Sequence, residues 1–305
     1  MHVQVLTNIT CCNTEGSLRA AFCPHPPSCT ILLNPDMGKI LIKRFIFIIF
    51  IAAFCGCELQ TSMLYYPDSY LPSQNELAAN QIQFWPYGSS NYRGFIGTVT
   101  TGNAKGTIVV FHGNAGTASE RAYYVNTLAS FGYRVILAEY PGYGARKGAL
   151  GEMPFVNDAI ETLRLVSEKY GKPIYLLGES LGCGVAAAVA RETPVQISGI
   201  ILITPWDSLL AVAKEKFPWL PVRLFLSDTY DSVQNLKAFQ GKIAIIGAER
   251  DEVIPIRHAQ TLYASLVVNK KMWTIKGAGH NDWSELVDRS WWEEVTNFIG
   301  DLKSL

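Results

Sequence analysis

Ser180 interrupts the run YLLGESLGCGVAAAVA, residues 175–190, in which a short apolar segment stops at a serine fenced by Gly178 and Gly182 and continues as alanine-rich chain. Where a strand turns sharply into a helix, the flanking backbone passes so close to its neighbours that glycine is the tolerated residue, and the hydroxyl between the glycines is held out at the carboxyl edge of the sheet. Such a serine is a nucleophile only if a base takes its proton, an acid orients that base and N–H groups receive the developing oxyanion. A lone G-x-S-x-G is weak. It gains weight if the partners end later strands, where the loops of an open sheet converge.

Of the five histidines, His280 in IKGAGHNDW directly follows the last apolar run, with glycines that let its loop bend over the sheet edge. His2 and His25 fall in the leader, His258 comes early on a helix after Pro255, and His112 in FHGN reads as structural, so His280 is the candidate base. The acid candidates are Asp251, which ends IAIIGAERDEVIP, Asp207, which follows the preceding strand, and Asp282, only two residues beyond the histidine and expected to cap the next helix. Asp251 is preferred and Asp207 is the alternative. For the oxyanion, the N–H of Leu181 at a helix start is one expected donor, and Asn114 in VVFHGNAG the other, with Ala115 as fallback. Cys183, in small-residue helix after the turn, reads as an inert buried thiol.

The elements that must position these residues alternate. QIQFW and YRGFIGTV are hairpin-like; GTIVVFHGN, YRVILAEY, KPIYLLG, ISGIILITP, GKIAIIGAE and KKMWTIKGAG read as buried strands. SERAYYVNTLASFG, FVNDAIETLRLVSEKYG, HAQTLYASLV and WWEEVTNFIGDLK read as helices between and after them. The alternation implies an α/β fold with a mostly parallel central sheet covered by helices on both faces. One insertion, about 206–240, interrupts the rhythm with Phe217, Trp219, Leu220 and Phe225 around two prolines. It is expected either as a short lid over a pocket or as a longer crossover of two packed helices.

The chain has 305 residues, of which 49% are hydrophobic, enough for one sizeable core. Its formal net charge of zero leaves no basic surplus to attract nucleic acid. Residues 1–36 hold four cysteines and no sustained period, and are expected to be an over-extended leader. MGKILIKRFIFIIFIAAFCGC then joins a basic start to an apolar stretch, Phe45 to Gly56, shorter than the ~20 residues of a spanning helix and suited to the ~7–15 of a secretory signal. FCGC resembles a bacterial lipobox, with Phe54 where leucine is usual, so 37–56 are expected to be a lipoprotein-type signal peptide with lipidation at Cys57. A signal anchor or a cleaved secretory peptide is the alternative. Residues 57–76 are expected as a tether and 77–305 as the folded domain. Beyond Cys57 only Cys183 remains, so neither a disulfide nor a Cys-based metal cluster is expected there.

VVFHGNAG, YPGYG, GESLG, GAERDEVIP and GAGHND, in that order, resemble the α/β-hydrolase superfamily. More narrowly, they are similar to the small-lid serine hydrolases that include the α/β-hydrolase-domain depalmitoylases and their bacterial relatives. The resemblance runs from about residue 77 to the end, maps serine, acid and histidine onto Ser180, Asp251 and His280, and implies a loop near the pocket at YPGYG. After that motif this chain carries Ala145 and Arg146 where many relatives have a serine. The implied activity is hydrolysis of an ester or thioester of modest acyl size through an acyl-enzyme at Ser180, on the envelope membrane of a bacterium, with an acylated or other small-molecule substrate. No cofactor, metal or nucleotide is expected. The rivals are an aminopeptidase-like peptidase on the same fold and a lipid-anchored, non-catalytic binding protein.

Overall fold

The structure, a computed structural model, describes residues 60–99, 103–267 and 269–300. Eight apolar runs form one sheet: β1 (Ile82–Trp85), β2 (Gly94–Gly97), β3 (Thr107–Phe111), β4 (Arg134–Ala138), β5 (Ile174–Glu179), β6 (Gly199–Ile203), β7 (Lys242–Ala248) and β8 (Lys270–Ile275). Their order across the sheet is β8-β7-β6-β5-β3-β4-β2-β1. The β1–β2 hairpin and the β2–β4 pair are antiparallel, and every other pair is parallel. Strands β3, β6 and β7 are buried along their whole length, as both-face coverage demands. The fold is that of the α/β-hydrolases, a mostly parallel sheet between two helical layers.

The helices are α1 (Gln74–Ala79), α2 (Tyr123–Ala129), α3 (Glu152–Tyr170), α4 (Leu181–Glu192), α5 (Leu209–Lys216), α6 (Ser232–Leu236), α7 (Arg257–Ser265) and α8 (Arg289–Gly300). Apolar side chains of α3, α4, α6 and α7 close the core on one face of the sheet. On the other face Tyr124, Val125 and Leu128 of α2 meet Trp292, Val295 and Ile299 of α8. Each such fully buried aliphatic side chain contributes about 1.5–3 kcal/mol of transfer free energy.

Three local expectations are revised. The helix read at SERAYYVNTLASFG is broken: Ala118–Arg121 is a tight 3-10 turn, with the Thr117 N–H bonded to Glu120, and α2 follows it. Helix α3 starts earlier than the apolar period suggested and carries Pro154 in its first turn, where a missing N–H costs nothing. The 57–76 tether, as far as it is described, docks on the body: residues 60–64 are helical, Tyr66–Pro67 pairs with Ala115–Gly116, and α1 has a capping box between Ser73 and Glu76.

The insertion divides between its two readings. Its first half, α5 and Val222 of the 3-10 turn Val222–Leu224, borders a cavity; its second, α6, packs into the core beside α4. Buried polar contacts fasten it to the amino-terminal stretch. Tyr65 Oη donates to Asp228 Oδ2 at 2.5 Å, Gln60 Nε2 donates to the same oxygen at 2.7 Å, and Gln60 Oε1 accepts from the Ser227 N–H at 2.6 Å. Burial, reinforced by Asp228, pushes the Tyr65 phenol far above its ordinary range, which keeps it a donor.

The turn after β5 sets the tightest packing in the sheet. A Cβ on Gly182 would overlap the Phe111 carbonyl and lie 2.8 Å from the His112 oxygen, and one on Gly178 would come within 2.6 Å of Cys183 Cα. Gly182→Ala is therefore expected to cost about 1–3 kcal/mol of overpacking strain and to lower the thermal midpoint by roughly 2–12 °C. Gly88→Ala, at a position with open space around it, should leave the midpoint unchanged. Equal midpoints for the two variants in a thermal melt would contradict this packing.

Candidate active site

Ser180 stands between β5 and α4 with φ 52° and ψ −115°, a conformation that costs a non-glycine residue about 1–3 kcal/mol. Its N–H is held by the Ile203 carbonyl at 2.9 Å, and its Oγ lies 2.9 Å from His280 Nε2. His280 Nδ1 lies 2.8 Å from Asp251 Oδ2. The other Asp251 oxygen accepts the N–H groups of Val253 at 2.9 Å and Ile254 at 2.7 Å. With Asp251 accepting from Nδ1–H, Nε2 is left as the acceptor for the serine hydroxyl. Serine, imidazole and carboxylate are all buried.

The strand order explains the reach. Ser180 follows β5 and His280 follows β8, three strand spacings or roughly 14 Å away, so the histidine loop must arch over the sheet edge. It is pinned on the way: the Arg250 N–H donates to the Ala278 carbonyl at 2.7 Å, the His280 N–H to Glu252 at 3.3 Å and the Gly279 N–H to Asp282 at 2.6 Å.

Two N–H groups face the same space. Leu181 is the first residue of α4, so its N–H has no intrahelical acceptor. The Asn114 N–H has no partner among the described residues, while the rest of Asn114 is tied down: its carbonyl accepts from the Tyr66 N–H at 2.9 Å and Tyr143 Oη at 2.7 Å, and its Nδ2 donates to the Leu64 carbonyl at 3.0 Å. Ala115, the fallback donor, lies opposite Tyr66 in the short parallel pairing, its carbonyl accepting from Arg121 at 3.4 Å. Asn114 and Leu181 line one cavity with Ser180 and His280.

That cavity, about 720 Å³, is walled mainly by apolar side chains, among them Leu209, Val212, Phe217, Leu220, Val222 and Phe225 of the insertion. A second cavity of about 290 Å³ also reaches Ser180 and His280, and its walls are polar: Glu120, Arg121, Tyr123, Glu179, Asn281 and Ser284. The serine sits where the two meet.

Residues 102–225 match the family model described as serine aminopeptidase, S33. The chain is 33% identical over 192 residues to the uncharacterized protein Rv2307c of Mycobacterium tuberculosis, covering 62% of this chain and 67% of that one. It is 28% identical over 186 residues to the lysophosphatidylserine lipase ABHD12 of Danio rerio, covering 54% of this chain and 48% of that one. Among solved structures, the Pyrococcus furiosus esterase Pf2001 superposes with a TM-score of 0.59 at 16% identity, over 77% of this chain and 96% of that one. The chain belongs to the α/β-hydrolase superfamily.

In this α/β-hydrolase Asp207 does not approach the histidine of the serine. Its Oδ1 takes the Ser208 N–H at 2.9 Å and His258 Nδ1 at 2.7 Å, so His258, read only as a helix residue, forms a second and separate His–Asp pair. Asp282 stands before a 3-10 turn without capping it; its carboxylate serves the histidine loop instead. His112 is buried, bonded to Glu139 at 3.1 Å and packed on Tyr140, the structural role expected for it. Cys183 is buried and free, and burial pushes its thiol well above the ordinary value, which keeps it protonated and unreactive. Cys57, the 1–36 leader and the 37–56 signal lie outside the described residues. Among the described residues no group of ligands could hold a metal ion.

Sequence reasoning missed three supports. Glu139 ends β4 buried, with both oxygens near the Ala118 N–H, and anchors the loop that carries Asn114. An acid closing the apolar run VILAEY is the signal that could have marked it. Glu179, beside the nucleophile, accepts from Tyr123 at 3.0 Å, Tyr124 at 2.9 Å and Arg121 at 3.4 Å. Burial opposes the Arg121 charge, but Glu179 beside it holds its guanidinium above the ordinary value. Arg146, at the departure after YPGYG, makes a bidentate bridge to Asp158 of α3 at 2.7 and 2.8 Å and donates to the Glu139 carbonyl, which closes that loop without a serine.

The two His–Asp pairs separate the acid candidates experimentally. Asp251→Asn should lower kcat on the order of 10³–10⁴-fold, the loss seen when a triad acid can no longer hold the imidazole tautomer. Asp207→Asn should keep kcat within about tenfold, because its partner is His258. The reverse ranking in steady-state kinetics would move the acid to Asp207.

Proposed function

We propose that the protein is a serine hydrolase that cleaves an acyl ester or thioester through an acyl-enzyme at Ser180, with the acyl chain in the 720 Å³ apolar cavity and the leaving group in the polar one. The observation that carries the reading is the unbroken hydrogen-bonded line from Ser180 through His280 to Asp251, opening onto an apolar cavity. Ser180 Oγ attacks the acyl carbonyl as His280 Nε2 takes the hydroxyl proton. The N–H groups of Leu181 and Asn114 receive the oxyanion, and no reorganisation is needed because both are fixed beforehand. His280 then protonates the departing alkoxide or thiolate, and water, deprotonated by the same nitrogen, hydrolyses the acyl-enzyme.

The cavity lies within the ~300–1,000 Å³ of ordinary ligand sites, and its length of apolar wall favours a longer chain than the modest acyl group expected from sequence. The relative named a lysophosphatidylserine lipase is in keeping with a lipid acyl substrate. A peptidase ranks below this reading. The carboxylates that line the polar cavity, Glu120 and Glu179, are both paired with Arg121, so neither is a free counter-charge for a substrate amine.

A fluorophosphonate probe should label the wild-type protein and not Ser180→Ala. Across a series of p-nitrophenyl esters, kcat/KM should rise by up to about fourfold per added methylene, the equivalent of ~0.8 kcal/mol of buried CH₂, until the cavity fills. Absence of labelling on folded protein would return the balance to a binding protein, and an optimum at acetate would remove the acyl assignment from the cavity.

We further propose that the chain is exported and lipid-attached at Cys57, in a bacterial envelope, from the basic and apolar run that ends in FCGC. Cys57→Ser should abolish incorporation of labelled fatty acid, and a variant still labelled would exclude this cysteine as the anchor.

A further inference from the structure

The mouth of the apolar cavity can be traced through the side chains that both line it and face solvent. Met63 and Tyr66 of the amino-terminal stretch, Trp219 of the lid and Val253 of the loop after Asp251 meet both conditions. Trp219 is 78% exposed, and Leu224, on the next turn of the lid, is 74% exposed. Three separate segments thus present large apolar side chains around one opening, where exposed apolar groups are ordinarily scattered singly.

Charge on the lid is sorted in the same way. Its acids are all engaged: Asp207 with His258, Asp228 with Tyr65 and Gln60, the exposed Glu215 with Arg257, and Asp231 with the Gln234 N–H at the start of α6. Lys214 and Arg223 are exposed and have no acidic partner among the described residues. The lid is formally neutral, but its exposed charges without an acidic partner, Lys214 and Arg223, are cationic and sit on the same element as part of the apolar rim, a combination that suits an anionic lipid surface.

The chain itself says where such a surface would be. Gln60 lines the cavity and is fastened to the lid at Ser227 and Asp228. It is the fourth residue after Gly56, the end of the apolar stretch, and the third after Cys57. At most roughly 14 Å of extended chain is available over four residues. With the apolar stretch or a lipid on Cys57 held in a bilayer, as proposed above, the cavity mouth would stand within that reach of its surface.

We propose that the rim formed by Met63, Tyr66, Trp219, Leu224 and Val253 docks on the surface of an anionic lipid bilayer, so that a lipid's acyl chain passes into the cavity without crossing water. This rests on the acyl-cavity reading and on attachment near Cys57. It adds that the lid is the protein's second point of contact with the membrane, one with its own role in choosing substrates that reside there.

The test uses the full-length chain in phosphatidylethanolamine–phosphatidylglycerol vesicles whose acyl chains carry bromine. Tryptophan emission should contain a quenched component in the wild type that is lost in Trp219→Phe. Equal quenching of the two proteins overturns the proposal, as does an unquenched Trp219 in a chain that self-associates, since a second copy would then cover the rim. In the second arm, Leu224→Asp should lower turnover of a long-chain ester embedded in those vesicles on the order of tenfold, as expected when a charge replaces an apolar side chain at an interface. Turnover of a short soluble ester should stay unchanged, which also reports that the variant is folded. A fall on both substrates, or on neither, counts against the docking surface. Failure of the wild type on the soluble ester would count against the hydrolase reading alone, because the quenching arm decides the surface independently.

Discussion

The close passage of α4 against β3 is the constraint on which the rest depends. Ser180 holds φ 52° because its neighbours leave the backbone no other course: Gly182 abuts the Phe111 carbonyl and Gly178 abuts the start of α4. The strain, of the order of 1–3 kcal/mol, is borne by a sheet whose central strands are buried throughout. The same contact sets Phe111 and His112 beside the serine, so the loop carrying Asn114 starts from a fixed point. Ser180 and the proposed oxyanion donors are registered to one another by a single packing event.

What begins as a covalent leader becomes part of this arrangement. The stretch from Gln60 to Tyr66 touches the Asn114 loop through two hydrogen bonds and the lid through Gln60 and Tyr65. One side of the Asn114 loop is therefore a segment that, in sequence, adjoins the apolar run from Phe45 to Gly56.

The strands were legible because both-face burial writes itself as uninterrupted apolar runs such as GIILI and KIAIIGA, and Ser180, Asp251 and His280 were legible because each ends one of them. The stretch 57–76 was not, since its order comes from long-range partners: Tyr65 has no local period but finds Asp228, 163 residues away. Glu139, Glu179 and Arg121 were missed for a related reason. A charged residue reads as surface unless its neutralising partners are known, and theirs lie across the fold. Asp282 misled because a residue before a helical turn reads as a cap, while the nearer claim on its carboxylate came from the bent backbone at Gly279.

The division between Asp207 and Asp251 follows from strand order. Both acids end neighbouring strands, β6 and β7, and in a list of residues each precedes the histidine by a plausible interval. In the sheet β7 is the direct neighbour of β8, so the loop that carries His280 must pass over Asp251 first. Asp207 stands one strand further on and would be a half-buried carboxylate in want of a partner, a costly state. The first turn of α7, which also packs beside the lid helix, supplies His258 to it, with Glu215 of the lid 3.3 Å from the other ring nitrogen. The acid that is not used by the serine's histidine is thereby converted into a fastening for α5, and through α5 into a wall of the apolar cavity. The two strand ends perform different tasks, chemistry at β7 and lid support at β6, and adjacency in the sheet decides which does which.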